Sequence, residues 1–350
     1  MGKPNQLHFH TKQWYPLPEV EPRDLSGKTV VLIGANVGLG LEAAKHFARM
    51  QPTKLIIACR SIQKCEDTVE EIRTATGFSK ITGYTVDLSV FSSVVEFAEN
   101  LEREQERLDI LVYSAAVATQ IYNRTGDGYE QSMQVNDLSC MLLSILLLPC
   151  MMETAKTSAM TAPRPRLVVV SSGAHFLVTP SQDVLSSENV LEKYSDLDYC
   201  SQPGVMTIRY HLTKLLNVFF VRELAERLSG SPIIACTVNP GYCKTMLSRN
   251  VRVSGLAALR WWLYATLFAR TAEMGSRTIV WAAVSESHRE KALHGHFLSD
   301  MEVREESDFA VSKEGFAMQK KLWDEMIQVF SQVSPRFKEI VDRYFSSPQE

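Results

Sequence analysis

The chain has 350 residues, 45% of them hydrophobic and 22% charged, and 37 Lys and Arg stand against 40 Asp and Glu for a formal charge of -3. That length and apolar content fit one large α/β domain or two smaller ones, while the near-balance of charge gives no basic field to draw the protein to nucleic acid or anionic lipid. Cysteines at 59, 65, 140, 150, 200, 236 and 243 are scattered singly without a C-x-x-C pair, which argues against a disulfide framework and for reduced thiols in the cytoplasm.

Residues 1–25 read as an extended, proline-punctuated lead-in without the apolar stretch of a secretory signal. His8 and His10 lack a Cys or carboxylate at ligand spacing, so no metal site is expected. From about residue 26 to the end, short apolar runs alternate with longer amphipathic ones. The runs at 28–34 (KTVVLIG), 54–60, 80–87, 108–115, 166–172 and 232–239 are β-branched and continuous, as in strands buried on both faces of a parallel sheet. Helical patterns lie between them at 41–50, 61–77, 93–108 and 217–230, the second and fourth ending at glycine. This order predicts a single α/β domain over 26–350 with a Rossmann-type, doubly wound parallel sheet and a helical C-terminal extension. MLLSILLLPCMM (141–152) is shorter than the ~20 residues of a membrane span and reads as the buried half of a helix. HGHFLSDMEV (294–303) reads as a last strand, and 318–330 as an outlying amphipathic helix.

The first strand leads into Gly34-Ala35-Asn36-Val37-Gly38-Leu39-Gly40 and then a helix. Glycines there allow a tight turn and let backbone N–H groups approach a pyrophosphate at the helix N-terminus.

The spacing G-x-x-x-G-x-G resembles the short-chain dehydrogenase/reductase family, and further matches follow in family order: Asp87-Leu88, VNDL with Asn136, VVVSSGAH with Ser172, Tyr210-x-x-x-Lys214, and NPGYCKT with Pro240, Gly241 and Thr245. Within the family, GANVGLGLEAAKHFARM, TKLLNVFF, VRELAERL and GSRTIVWAA are most similar to the retinol-dehydrogenase-like branch as found in filamentous fungi, where many members serve secondary-metabolite biosynthesis. The resemblance implies a nicotinamide cofactor held by Gly34, Asn36, Gly38, Leu39, Gly40, Asp87, Leu88, Ala115, Tyr210, Lys214, Pro240, Gly241 and Thr245. It makes Asn136 the residue that kinks a helix and holds a water in a proton relay.

The chemistry gives these residue types a reason to converge. Hydride transfer between a nicotinamide and a carbonyl leaves an alkoxide-like oxygen that needs a proton. Tyr210 and Lys214, at i and i+4, share a helix face, so the ammonium is expected to lower the phenol's pKa, and by resemblance to reach the cofactor ribose. Ser172, at a strand's carboxyl end, would hydrogen-bond the substrate oxygen. After the second strand stands Arg60 rather than an acid, with Lys64 close behind, which favours the 2′-phosphate of NADP(H). Two departures from the family pattern concern the cofactor wall: Ile33 stands where Thr is usual, and Tyr113-Ser114-Ala115-Ala116 replaces an Asn-Asn-Ala-Gly-like turn.

The expectation is an NADP(H)-dependent carbonyl reductase or alcohol dehydrogenase for a bulky hydrophobic substrate, with a polyketide or terpenoid-like intermediate suggested by the resemblance. Two alternatives stay open, a retinol-type dehydrogenase of lipid-like substrates and an NADP(H)-sensing binding protein without turnover. The apolar segment 255–270, with Trp261 and Trp262, is expected to be a substrate lid, with peripheral membrane contact as its alternative. Self-association is left open.

Overall fold

A computed structural model of the chain describes residues 13, 15–158, 163–247, 265–285 and 290–345. His8, His10, Trp261 and Trp262, and with them most of the expected lid, lie outside these residues. The elements run β1 (Thr29–Ile33), α1 (Gly38–Arg49), β2 (Lys54–Cys59), α2 (Ile62–Thr76), β3 (Ile81–Thr85), α3 (Phe91–Glu104), β4 (Ile110–Tyr113), α4 (Gln131–Leu146), α5 (Leu148–Thr157), β5 (Arg166–Val170), α6 (Arg209–Arg227), β6 (Ile234–Asn239), α7 (Ala272–Val284), β7 (Phe297–Ser299), β8 (Glu302–Arg304), α8 (Lys313–Val333) and α9 (Pro335–Tyr344).

The strands form one sheet in the order β3-β2-β1-β4-β5-β6-β7-β8, parallel throughout except for the β7–β8 pair. Strand order reverses where β4 joins β1, so a crevice opens there beyond the carboxyl ends of the strands. Successive side chains of a strand face opposite ways, and both faces of this sheet are covered. Val30 and Leu32 pack with α1 and α7 on one side, whereas Val31 and Ile33 pack with α3, α4 and α6 on the other. That double burial is why the strands read as unbroken apolar runs.

Three expectations are corrected. The apolar run at 141–152 is no single helix: α4 and α5 meet at Leu147 with a bend of 42°. Pro149 lacks the N–H and crowds the carbonyl one turn earlier, so the helix cannot run through it. The apolar side chains of both halves are buried in the core that β4 and β5 share. The last apolar stretch is a hairpin of two strands, because Asp300 and Met301 both take positive φ (56° and 59°) and turn the chain between Ser299 and Glu302. The C-terminal helix is docked rather than outlying: α8 lies on α6, and its Met318, Leu322, Trp323, Met326 and Phe330 join the core that α4 and α6 build.

No single helix among the described residues is long and apolar enough to cross a membrane. Within α4, Gln134–Leu138 is wound as a π-helix, a one-turn widening that sits under the crevice.

Phe330 is fully buried, edge-on to Phe91 and Phe337 at 5.6 and 5.3 Å between ring centroids. Phe330→Ala should lower unfolding free energy by ~3–5 kcal/mol. Urea denaturation followed by circular dichroism reads this directly, and an unchanged midpoint would mean that α8 is not part of the cooperative core.

Candidate active site

A cleft of about 1560 Å3 runs along the carboxyl ends of β1, β2, β4, β5 and β6. It exceeds the ~300–1,000 Å3 of a small-ligand pocket and has room for a dinucleotide beside a second molecule. Of the residues singled out from the sequence, Gly34, Asn36, Gly38, Leu39, Gly40, Arg60, Lys64, Asp87, Leu88, Ala115, Ser172, Tyr210, Lys214, Pro240, Gly241 and Thr245 all line it. Asn136 stands behind its wall.

The glycine turn fits its expected task. Gly34 has φ +82°, and a Cβ there would meet the Ala115 backbone at 2.6 Å; at Gly40 a Cβ would meet the Gly34 carbonyl at 2.3 Å. The turn can therefore close only without side chains, which presents bare backbone and the start of α1 to the cleft. Arg60 and Lys64 stand exposed at the end of β2 and the first turn of α2. Asp87 turns its carboxylate back onto Ser89, accepting from its N–H at 2.9 Å and its hydroxyl at 2.6 Å. A nicotinamide dinucleotide suits this set, with bare backbone for a pyrophosphate and two cations at the ribose end.

The two family departures leave the wall intact. Ile33 is wholly buried, and backbone bonds pin the turn instead, from the Gly34 N–H to the Ala58 carbonyl and from the Ser114 N–H to the Ile33 carbonyl, both 2.9 Å. Tyr113 points away from the cleft and donates its hydroxyl to the Val135 carbonyl at 2.6 Å. The wall's own support is Asn136, whose side chain accepts from the Val117 N–H (2.8 Å) and donates to the Val117 carbonyl (2.9 Å) and Thr213 Oγ1 (3.0 Å).

Tyr210, Lys214 and Ser172 converge on the opposite wall. Ser172 lies two residues beyond β5 and caps the 3-10 turn Gly173–Leu177, its Oγ accepting from the Ala174 N–H at 3.1 Å. Burial pushes the Tyr210 phenol up to about 12, and a hydrogen bond with Ser172 draws it down. Ser172 is thus a second group, beside the expected Lys214, placed to lower the phenol. The Lys214 ammonium lies 5.6 Å from the Tyr210 ring centroid and is committed elsewhere, to the Val170 carbonyl at 2.8 Å and Asn217 Oδ1 at 3.0 Å. Its own burial draws it down to about 8. At neutral pH the site thus holds a protonated phenol and an ammonium close to giving up its proton.

Sequence reasoning missed several supports. Asn239 accepts from the Gly173 N–H (3.0 Å) and the Gly241 N–H (3.1 Å), tying the Ser172 turn to the Pro240-Gly241 turn. Asn217 bridges Lys214 to Asn136 and Asp137. Gln13, from the lead-in, accepts from the Tyr242 N–H at 3.1 Å. His175 is buried under Ser172, and a carbonyl can only accept, so Nδ1 carries the proton given to the Ser172 carbonyl (2.7 Å) while Nε2 accepts from the Ser307 N–H (3.2 Å). The only sequence signal for any of these was a polar residue inside an otherwise apolar pattern.

His175 is held neutral, its pKa lowered to about 4 by burial. An unfolded histidine titrates near ~6.5, so between about pH 6.5 and 4 only the unfolded chain takes up the proton. Stability from this group is complete above that window and is lost as pH falls through it, by on the order of 3 kcal/mol. Urea midpoints of the wild type should therefore drop more steeply from pH 7 to pH 5 than those of His175→Gln. Parallel curves would contradict a buried neutral His175.

Comparison with known proteins shows the family. The short chain dehydrogenase family model matches residues 28–185. A short chain dehydrogenase/reductase of Cryptosporiopsis sp. (strain 8999), dmxR8, is 34% identical over 89% of this chain and 92% of its own. Human retinol dehydrogenase 11 is 34% identical over 86% of this chain and 85% of its own. Among solved structures, an uncharacterized protein from Mycobacterium paratuberculosis superposes with a TM-score of 0.64 at 25% identity, covering 89% of this chain and 96% of that one. Identity at this level along nearly the whole of both chains means that the protein belongs to the short-chain dehydrogenase/reductase family, oxidoreductases that use a nicotinamide cofactor on a CH–OH/C=O pair.

Proposed function

We propose that the protein is an NADP(H)-dependent carbonyl reductase or alcohol dehydrogenase for a bulky apolar ketone, aldehyde or alcohol, serving a step in fungal secondary-metabolite biosynthesis. The observation that carries the reading is the convergence of Tyr210, Lys214 and Ser172 on the wall of a cleft whose neighbouring surface is apolar. Phe176, Leu177, Val178, Met206, Met246 and Leu247 supply that surface, and Ala265 and Ala269 border it from the described end of the expected lid. A water-poor surface of this kind favours an apolar substrate and strengthens hydrogen bonds to a developing charge.

The nicotinamide, when bound, gives or takes the hydride; everything else falls to side chains of this chain. Ser172 Oγ hydrogen-bonds the substrate oxygen and stabilises its growing negative charge. Tyr210, kept protonated by burial, passes its phenolic proton to that oxygen. Lys214 stands behind the phenol as the ammonium that refills it, and Asn136 keeps the cofactor wall in place through Val117.

Arg60 and Lys64 support NADP(H) over NAD(H), because a cation at the end of β2 complements a 2′-phosphate where a carboxylate would repel it. A retinoid-like alcohol is the second substrate reading, favoured by the similarity to a retinol dehydrogenase.

Two outcomes test the proposal. Tyr210→Phe should lower kcat for NADPH-dependent reduction of apolar carbonyls by ~10²–10⁴-fold while NADPH still binds, as followed by quenching of protein fluorescence. Wild-type turnover in that variant would remove Tyr210 from the chemistry. Arg60→Glu should weaken NADPH binding by roughly 10- to 100-fold and leave NADH binding level or better; equal loss for both cofactors would mean that Arg60 does not read the phosphate.

A further inference from the structure

The face of α6 that meets α4 carries a polar chain that starts at Lys214 and whose further members the chemistry above does not use. Lys214 is buried, and one of its two partners is Asn217, three residues on along the same helix. Asn217 is buried as well and spends both amide hydrogens on the far side, 2.9 Å to the Asn136 carbonyl and 2.7 Å to Asp137 Oδ1. The amide orientation is unambiguous, since an ammonium can only donate and a carbonyl only accept. Asp137 sits in the π-helical turn of α4 with no exposed surface, and its Oδ2 meets no hydrogen-bonding partner among the described residues.

A buried ammonium needs a compensating charge, because desolvation otherwise strips it of its proton. The titratable groups facing the pair are few. Glu130, which caps α4, and Arg209 on α6 approach each other at 3.5 Å and compensate one another. Cys140 on α4 and Tyr113 on β4 are pushed up by burial and stay neutral, as does Tyr210. β5 contributes only the Val170 carbonyl. Burial pushes the Asp137 carboxyl well up as well, and the Lys214 ammonium draws it back, so among the described residues the group one amide's length from Lys214 is the one whose charge is coupled to it.

We propose that Asn217 is a positioning residue that ties the Lys214 ammonium to the π-helical turn, and that the buried Asp137 carboxylate sets the pH range over which Lys214 keeps its proton. The inference rests on the reading of Tyr210 and Lys214 as an acid and the group that refills it. An amide joins the two ends without itself carrying a proton, so the link is structural and electrostatic rather than a proton wire. The sign follows from the charges. Burial draws Lys214 down and Asp137 draws it up, so removing the carboxylate's charge makes Lys214 lose its proton at lower pH.

The test is Asp137→Asn, which keeps an oxygen acceptor for Asn217 and removes only the charge. In cofactor-free protein carrying 13C-labelled lysine, the Lys214 Cε resonance, assigned by its loss in Lys214→Arg, is titrated by NMR. Its midpoint should fall by about one pH unit or more in Asp137→Asn, and the basic limb of the NADPH-dependent reduction profile should move by the same amount. Asn217→Leu, which cuts the link without opening a cavity, should also lower the midpoint and should reduce kcat with little change in KM for the carbonyl. Superimposed titrations of wild type and both variants would overturn the proposal. Tyr210→Phe separates the two levels. If that variant is inactive and the lysine midpoints coincide, only this inference falls; if it turns over like wild type, the catalytic reading falls and takes this inference with it.

Discussion

Both backbone groups of Val117 are held by one side chain, Asn136, and much of the cleft depends on that bond pair. Val117 follows the strand end that faces the glycine turn, where the wall cannot be braced by a ladder because β4 has already ended at Tyr113. An amide side chain has the donor and acceptor needed to imitate a neighbouring strand. It can take that position because the π-helical turn of α4 rotates it out of the ordinary helical register. From Asn136 the network continues through Thr213 and Asn217 into α6, the helix that carries Tyr210 and Lys214. The cofactor wall and the proton-handling wall are thus two ends of one buried hydrogen-bonded unit. Such units are rigid when every group is satisfied and costly when one is left bare.

Burial also sets the chemistry. In the cleft wall a neutral phenol is favoured over its anion and a neutral amine over its cation, so Tyr210 and Lys214 are driven apart in proton affinity, the phenol upward and the ammonium downward. The gap that results is suited to a phenol that gives its proton to a strong base, the nascent alkoxide, and recovers it from a willing ammonium. Ser172 tempers the phenol and is itself fixed from beneath by neutral His175 and beside it by Asn239 through Gly173. Placement of the reacting groups is therefore decided by residues that never touch a substrate.

How much of this was legible in the sequence follows from which interactions have a local signature. A strand covered on both faces must be apolar throughout, so β1, β2, β4, β5 and β6 could be read directly, whereas β3, a half-exposed edge strand, was legible only from its β-branched residues, and a glycine turn between strand and helix announces a phosphate site. The i and i+4 spacing of Tyr210 and Lys214 likewise encodes a shared face. The hairpin at Asp300-Met301 was hidden because two non-glycine residues occupy left-handed backbone, which removes the usual Asn-Gly or Asp-Gly signal. The break at Leu147 was legible in principle from Pro149, but the apolar run around it masked the boundary. Asn217 and Asp137 gave no sign of their pairing, since they lie 80 residues apart and only the packing of α4 on α6 brings them together. The pull of Ser172 on Tyr210 went unread for the same reason: spacing places Lys214 beside the phenol but says nothing of a serine on another element.

The central claim, that this cleft moves a hydride onto an apolar carbonyl, is tested most directly by following the hydride itself. NADPH carrying deuterium at the transferable C4 position is incubated with the protein and a panel of bulky apolar ketones and aldehydes, and the products are examined by mass spectrometry. The account predicts one deuterium on the new carbinol carbon, delivered from one face of the nicotinamide. Tight NADPH binding with no deuterium reaching any carbonyl of the panel would contradict it.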